Sequence, residues 1–257
     1  MTTSMVITGG SSGIGAAIVQ KFLALGYRVF NLDIVAGTVH NCDASVQVEN
    51  DASRQYHHVQ CDVSNYAAVK SAIESISSEH EIEVLVCNAG KHLSATIENT
   101  SEEELLALFN LNVKGAVSAI QSSLPSMKSN NFGRIILVAS DQAIVGKTNS
   151  FAYNLTKHAL ASIAKTTALD YADYGITANA VCPGTIDTPL YRRAIQNYCD
   201  RSGRDVEEVH IEEAQLQPVG RVGLSEEVAE YVSFLAKKSS GFITGSLQII
   251  DGGYTAR

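Results

Sequence analysis

No two cysteines in this sequence stand in a C-x-x-C pair, no apolar run reaches membrane-spanning length, and basic residues are in the minority. Each absence excludes something. The five cysteines, Cys42, Cys61, Cys87, Cys182 and Cys199, are odd in number and scattered, which argues against a disulfide framework. A zinc site needs clustered ligands, and the one adjacent histidine pair, His57-His58, points to opposite faces if it lies on a strand. Cys61, Cys87 and Cys182 fall in or beside apolar runs and are expected to be small buried hydrophobes in a reducing compartment. With 19 basic against 27 acidic residues, the net charge is -8. Such a chain repels phosphate backbones and anionic lipid, so neither nucleic acid nor membrane is an expected partner. Met1 to Ser4 lead straight into an apolar strand pattern with neither a basic nor a long apolar leader segment, and the expectation is a soluble cytoplasmic protein.

What is present is globular. The chain has 257 residues, 45% of them apolar, enough for one large α/β domain. Short β-type runs alternate with longer helical patterns. Met5 to Ile7 predicts a strand, and Ile14, Ile18, Phe22 and Leu25 line one face of the helix after it. Further strands are predicted at Arg28 to Leu32, His58 to Cys61, Val84 to Cys87, Arg134 to Val138, Thr177 to Cys182 and Leu247 to Ile250. Helices are predicted from about Asn65 to His80, from a capping box at Ser101 to about Asn130 with a break or kink at Pro125, from Phe151 to Tyr174, and from Ser225 to Ala236. Residues 34–56 are polar and show little periodicity. Strands alternating with helices imply a doubly wound parallel seven-stranded sheet of Rossmann type with helices on both faces. The continuously apolar strands suit a sheet covered on both sides. With no linker and no internal repeat, residues 1–257 are expected to form a single domain.

The first strand ends in Thr8-Gly9-Gly10-Ser11-Ser12-Gly13-Ile14-Gly15, and a helix follows. Glycines permit a tight turn and close approach of a pyrophosphate, while the free N–H groups and dipole at the helix N-terminus attract the anion. Asp33 ends the second strand 20 positions beyond Gly13, where a carboxylate can bind adenosine ribose hydroxyls and repel a 2′-phosphate. No Arg or Lys follows Asp33 directly, so NAD is favoured over NADP. Tyr153 and Lys157 stand at i and i+4 on a predicted helix and share a face. A phenol with its usual pKa near 10 is a poor base at neutral pH, and a nearby ammonium favours its ionised form.

These motifs together resemble the short-chain dehydrogenase/reductase family. The resemblance rests on Thr8-Gly9-x-x-x-Gly13-x-Gly15, Cys61-Asp62-Val63, Asn88-Ala89-Gly90, Asn112-Val113-Lys114-Gly115, Ser140 placed 13 positions before Tyr153, Tyr153-x-x-x-Lys157, Pro183-Gly184 and Asp251-Gly252-Gly253, and so spans nearly the whole chain. It implies an oxidoreductase that moves a hydride between a nicotinamide and a secondary alcohol or ketone. In that reading Tyr153 is the acid/base, Lys157 lowers the phenol pKa and binds the nicotinamide ribose, Ser140 hydrogen-bonds the substrate oxygen, and Asn112 supports a proton relay. By the same resemblance, Gly9, Ser11, Ser12, Gly13, Ile14 and Gly15 hold the cofactor, with Asp33 on the ribose. Asp62 and Val63 flank the adenine, Asn88, Ala89 and Gly90 line the cleft, and Pro183, Gly184, Ile186 and Thr188 border the nicotinamide end. One departure is Cys87, where the family often has a second asparagine.

His92, Asp141, Gln142 and Tyr191 are candidate substrate-pocket residues, because ligands gather at the carboxyl ends of such strands. If they face inward, the pocket suits a polar alcohol such as a sugar, polyol or hydroxy acid. The resemblance makes the charged and tyrosine-rich segment 185–217 a lid over substrate, and makes the assembly a homotetramer. No metal is implied. Two rivals share the fold: an epimerase or dehydratase, expected to be longer and to differ in glycine spacing, and a non-catalytic NAD-binding redox sensor, expected to have lost Tyr153, Lys157 or Ser140.

Overall fold

Seven of the apolar runs pair side by side in the computed structural model, which describes residues 3–37, 40–41, 44–45 and 55–256. They are β1 (Ser4–Thr8), β2 (Arg28–Asp33), β3 (Tyr56–Gln60), β4 (Ile82–Cys87), β5 (Gly133–Val138), β6 (Ile176–Pro183) and β7 (Leu247–Ile250). All pair in parallel, in the order β3-β2-β1-β4-β5-β6-β7. The order reverses on either side of β1, which opens a crevice at the carboxyl ends of β1 and β4. This is the doubly wound Rossmann sheet that the alternating pattern predicts. In the weakly patterned segment, His40–Asn41 and Ala44–Ser45 form a short antiparallel pair. Cys42 lies outside the described residues.

The helices are α1 (Gly13–Ala24), α2 (Tyr66–Glu79), α3 (Glu102–Phe109), α4 (Gly115–Ser129), α5 (Phe151–Tyr171), α6 (Pro189–Ser202), α7 (Val206–Leu216) and α8 (Ser225–Leu235). Strand residues alternate between two cores. Val6, Leu32, Leu85, Ile135, Leu137 and Ala180 pack with α2, α4 and α5 on one face. Met5, Ile7, Val29, Val84, Val86, Ile136 and Val181 pack with α1 and α8 on the other. Each fully buried side chain of this size contributes about 1.5–3 kcal/mol, so sheet and helices depend on each other for stability. The helix carrying Tyr153 ends in a short 3-10 turn at Ala172–Tyr174, and Gly175 closes it at φ 66°.

One expectation changes. The long helix after Ser101 does not break at Pro125, which lies inside α4 on an exposed position. There the carbonyl deprived of its partner can turn to water. The interruption is a π-helical turn, Asn110–Lys114, that separates α3 from α4. Asn112 sits at its centre, with a side chain bonded outside the helix as described below. Segment 185–217 is largely two helices, α6 and α7, with a small core of Ile195, Cys199 and Val209. No helix among the described residues is long and apolar enough to cross a membrane.

Candidate active site

The glycine turn between β1 and α1 is held from two sides. Gly10 N–H donates to Asn31 Oδ1 at 2.8 Å, and Ser11 N–H donates to Asp33 Oδ2 at 3.1 Å, both from the end of β2. From β4, Asn88 Nδ2 donates to the Gly9 carbonyl at 2.7 Å, and Thr8 Oγ1 accepts from the backbone of Asn88 and Ala89. A Cβ on Gly15 would stand 2.1 Å from the Gly9 oxygen, so this position admits no side chain. Gly13 turns at φ 51°. No side chain caps α1, which leaves the amides of its first turn facing outward as an anion cradle. Thr188, the N-cap of α6, lies over this turn, with its Cβ 3.2 Å from where a Gly13 Cβ would be.

Ile14 packs on the α1-side core, and Ile186 is buried. Gly90 has Asn112 beside it, and Gly184 is closed in by Asp251. Asp62 is exposed and accepts from the backbone and hydroxyl of Ser64, while Val63 is buried against Gly115. Ser12 contributes backbone only, and Pro183 ends β6. Asn31 and Thr8 were not singled out from sequence as holding the turn. The signal for Asn31 was there: an amide in an apolar strand, 0% exposed, needs a buried partner.

At the carboxyl ends of β5 and β6 the predicted catalytic residues come together. Ser140 follows β5 and is buried. The Tyr153 phenol has Ser140 as a hydrogen-bonding neighbour: burial pushes its pKa well above 10, Ser140 pulls it down, and the nearby Asp141 carboxylate pushes it up. Lys157 sits one turn further along α5, with Nζ 5.3 Å from the Tyr153 ring centroid. It donates to the Val138 carbonyl at 2.9 Å. Burial lowers the ammonium pKa to about 8. Asn112 stands at the centre of the π turn. Its Nδ2 donates to the Lys91 carbonyl at 3.0 Å and to Thr156 Oγ1 at 3.1 Å, and its Oδ1 accepts from Lys91 N–H at 2.9 Å. One amide thus ties the segment after β4 to α5.

Three of the candidate pocket residues join this group. The His92 ring meets Tyr153 edge-on at 4.7 Å between centroids, and its Nε2 lies 3.2 Å from Ser150 Oγ. Ser150 in turn donates to Gln142 Oε1 at 2.7 Å. Burial, and then the cations Lys147 and Lys157, lower the His92 pKa. Asp141 Oδ1 accepts from the Ser140 hydroxyl at 2.6 Å. Tyr191 stands apart: its hydroxyl meets His210 Nδ1 at 2.8 Å within the α6–α7 pair. Between pocket and lid, Lys147 reaches Glu213 at 3.5 Å.

Similarity to known proteins agrees with this architecture. The family model described as enoyl-(acyl carrier protein) reductase matches residues 9–255. The chain belongs to the short-chain dehydrogenase/reductase family. It is 32% identical to the 3-oxoacyl-[acyl-carrier-protein] reductase MabA of Mycobacterium tuberculosis, over 98% of this chain and 93% of that protein. Among solved structures, the aldohexose dehydrogenase AldT of Thermoplasma acidophilum is 34% identical with a TM-score of 0.87, covering 100% of this chain and 95% of that one. ElxO with NADP bound is 27% identical with a TM-score of 0.85, covering all of both chains. The chain is therefore an oxidoreductase of a family that uses a nicotinamide cofactor.

Proposed function

We propose that this protein is an NAD-dependent dehydrogenase/reductase interconverting a polar secondary alcohol and its ketone, with Tyr153 as the general acid/base. The convergence of Tyr153, Ser140 and Lys157 at the carboxyl edge of the sheet, beside the glycine turn, carries this reading. When bound, the nicotinamide supplies the hydride acceptor or donor. Tyr153 takes the alcohol proton in oxidation and returns it to the carbonyl oxygen in reduction. The phenol is buried and neutral as it stands, so it needs positive charge nearby to ionise. Lys157 is the residue positioned to supply part of that charge and to hold the nicotinamide ribose. Ser140 fixes the substrate oxygen beside Tyr153. Asn112, bonded to both Lys91 and Thr156, supports the path by which the proton reaches solvent.

The cradle fits a dinucleotide. Gly15 leaves the space that a side chain would fill, the uncapped amides of α1 suit the pyrophosphate, and the family resemblance assigns the rest of the set, Ser11 to Ile14, Asp62, Val63, Asn88 to Gly90, Pro183, Gly184, Ile186 and Thr188, to the same cofactor. Asp33 supports NAD over NADP. Its carboxylate closes the adenosine end, and the residues after it, Ile34, Val35 and Ala36, offer no cation to a 2′-phosphate. His92, Asp141 and Gln142 support a polar substrate such as a sugar, polyol or hydroxy acid, with α6 and α7 as the lid. AldT, named for aldohexoses, is consistent with that class. We read residues 1–257 as one cytoplasmic domain that assembles as a homotetramer.

The test is turnover across sugars and polyols, hydroxy acids, hydroxyacyl thioesters and hydroxysteroids, with NAD and NADP in parallel. Expected are activity with NAD on a polar alcohol and a fall of about 10²–10⁴-fold in Tyr153→Phe, the range that general acid–base catalysis supplies. Activity that survives in Tyr153→Phe would remove Tyr153 from the chemistry. Preference for NADP or for hydroxysteroids would overturn the cofactor or the substrate reading separately.

A further inference from the structure

Three polar side chains beside Tyr153 are joined to one another, and their hydrogens can be counted. His92 comes from the segment after β4, Gln142 from the 3-10 turn after β5, and Ser150 is the residue before α5. Ser150 is the hub. It is 2% exposed, and its Oγ lies 2.7 Å from Gln142 Oε1 and 3.2 Å from His92 Nε2. A hydroxyl has one hydrogen, and an amide oxygen can only accept. The Ser150 hydrogen therefore goes to Gln142, and Ser150 accepts from His92 Nε2–H. A neutral imidazole carries one hydrogen, so His92 Nδ1 is left as a bare acceptor, while Gln142 Nε2 remains a donor. Among the described residues neither of these two atoms has a hydrogen-bond partner, and neither is sealed from solvent. Turning the Gln142 amide over reverses both ends of the chain together: Gln142 then presents its oxygen and His92 its N–H. In either sense the trio offers one donor and one acceptor.

Charge decides whether this count holds. Burial lowers the His92 pKa, and Lys147, on the loop after β5, and Lys157, on α5, lower it further. The ring is therefore mostly neutral at pH 7, above its usual pKa of about 6.5 and further above the lowered one. An imidazolium would present donors only and suit a carboxylate; the neutral ring does not.

We propose that His92 and Gln142, held by Ser150, bind a second hydroxyl of the substrate on the carbon next to the reacting one, so that the enzyme takes 1,2-diols and their α-hydroxy ketones in preference to simple alcohols and 2-hydroxy acids. This deepens the polar-alcohol reading and rests on Tyr153 holding the reacting oxygen. A hydroxyl accepts and donates at once, which is what the trio asks for. The hydrogen it donates is its own, so the reacting hydroxyl still gives its proton to Tyr153. The His92 ring meets Tyr153 edge-on at 4.7 Å between centroids, a contact close enough to suit oxygens on neighbouring carbons. A carboxylate brings only lone pairs and sets one of them against an acceptor, and a methyl leaves both polar atoms unpaired.

The first measurement needs no substrate. Nitrogen-15 NMR of histidine-labelled whole protein would report the His92 ring, assigned by its loss in His92→Gln. At neutral pH it is expected to show one bare and one hydrogen-bearing nitrogen in a single tautomer, and Ser150→Ala to mix the two tautomers. Two hydrogen-bearing nitrogens, or mixed tautomers in the wild type, would overturn the proposal, whatever becomes of the assignment of Tyr153. The second measurement is kcat/KM with NAD for propan-2-ol, propane-1,2-diol and lactate, which place a methyl, a hydroxymethyl and a carboxylate on one reacting carbon. Propane-1,2-diol is expected to exceed propan-2-ol by about 10- to 100-fold, the worth of two neutral hydrogen bonds, and to exceed lactate as well. His92→Phe should bring the ratio of diol to propan-2-ol close to one. His92→Gln, whose amide keeps both a donor and an acceptor, should hold that ratio above the His92→Phe value. A wild type that prefers lactate, or a ratio unmoved in His92→Phe, would take the second hydroxyl away from His92.

Discussion

The turn between β1 and α1 and the α6–α7 segment face each other across one crevice, yet they are built by different means. The turn is held by backbone groups: the Gly9 carbonyl and the Gly10 and Ser11 amides are each bonded to a side chain of β2 or to Asn88. It has no slack, because a single methyl at Gly15 would strike the Gly9 oxygen. The α6–α7 pair has a core of three buried side chains and otherwise surface ion pairs, among them Arg192 with Asp187 and Arg204 with Glu212. Its exposed charges contribute little stability each. Rigidity suits a cofactor that must approach the backbone closely. A lightly held helix pair suits a cover that substrate has to pass.

The contrast is most easily broken at Gly15. In Gly15→Ala the clash is with backbone, which cannot rotate away, and overpacking of this kind costs about 1–3 kcal/mol. Cofactor affinity measured by fluorescence titration is expected to fall roughly 10- to 100-fold. An unchanged affinity would show that the turn is looser than its hydrogen bonds imply. Next in size is Lys157, whose ammonium pKa is lowered to about 8 by burial. From about pH 8 to pH 10 the unfolded chain binds more protons at this residue than the folded one, so stability rises with pH across that window. Urea denaturation should show the rise in wild type, on the order of 1–3 kcal/mol, and its absence in Lys157→Met. Equal slopes in the two proteins would mean that Lys157 is well solvated. The smallest effect is expected at the lid. Glu213→Gln removes the partly exposed ion pair with Lys147, worth about 0–1 kcal/mol. Substrate KM should change by less than about fivefold and cofactor affinity not at all. A large loss of cofactor affinity there would mean that turn and lid are one unit.

The sequence by itself determined the sheet, the glycine turn, and the pairing of Tyr153 with Lys157. The reason is range. Strand alternation, helix periodicity and an i, i+4 pair are written within ten or so residues and hold wherever the segment ends up. Tertiary structure decided the contacts between distant residues. Pro125 looked like the helix break, but the interruption falls at Asn112, whose amide bonds Lys91, 21 positions away, and Thr156, 44 positions away. Asn31 reaches back 21 positions to Gly10, and His92 reaches Ser150 across 58. Tyr191, grouped with the pocket from sequence, instead turns into the lid against His210. Asp141 is the intermediate case. Its place beside Ser140 is legible at once, but that its carboxylate accepts the serine hydrogen bond in a buried setting belongs to the assembled fold.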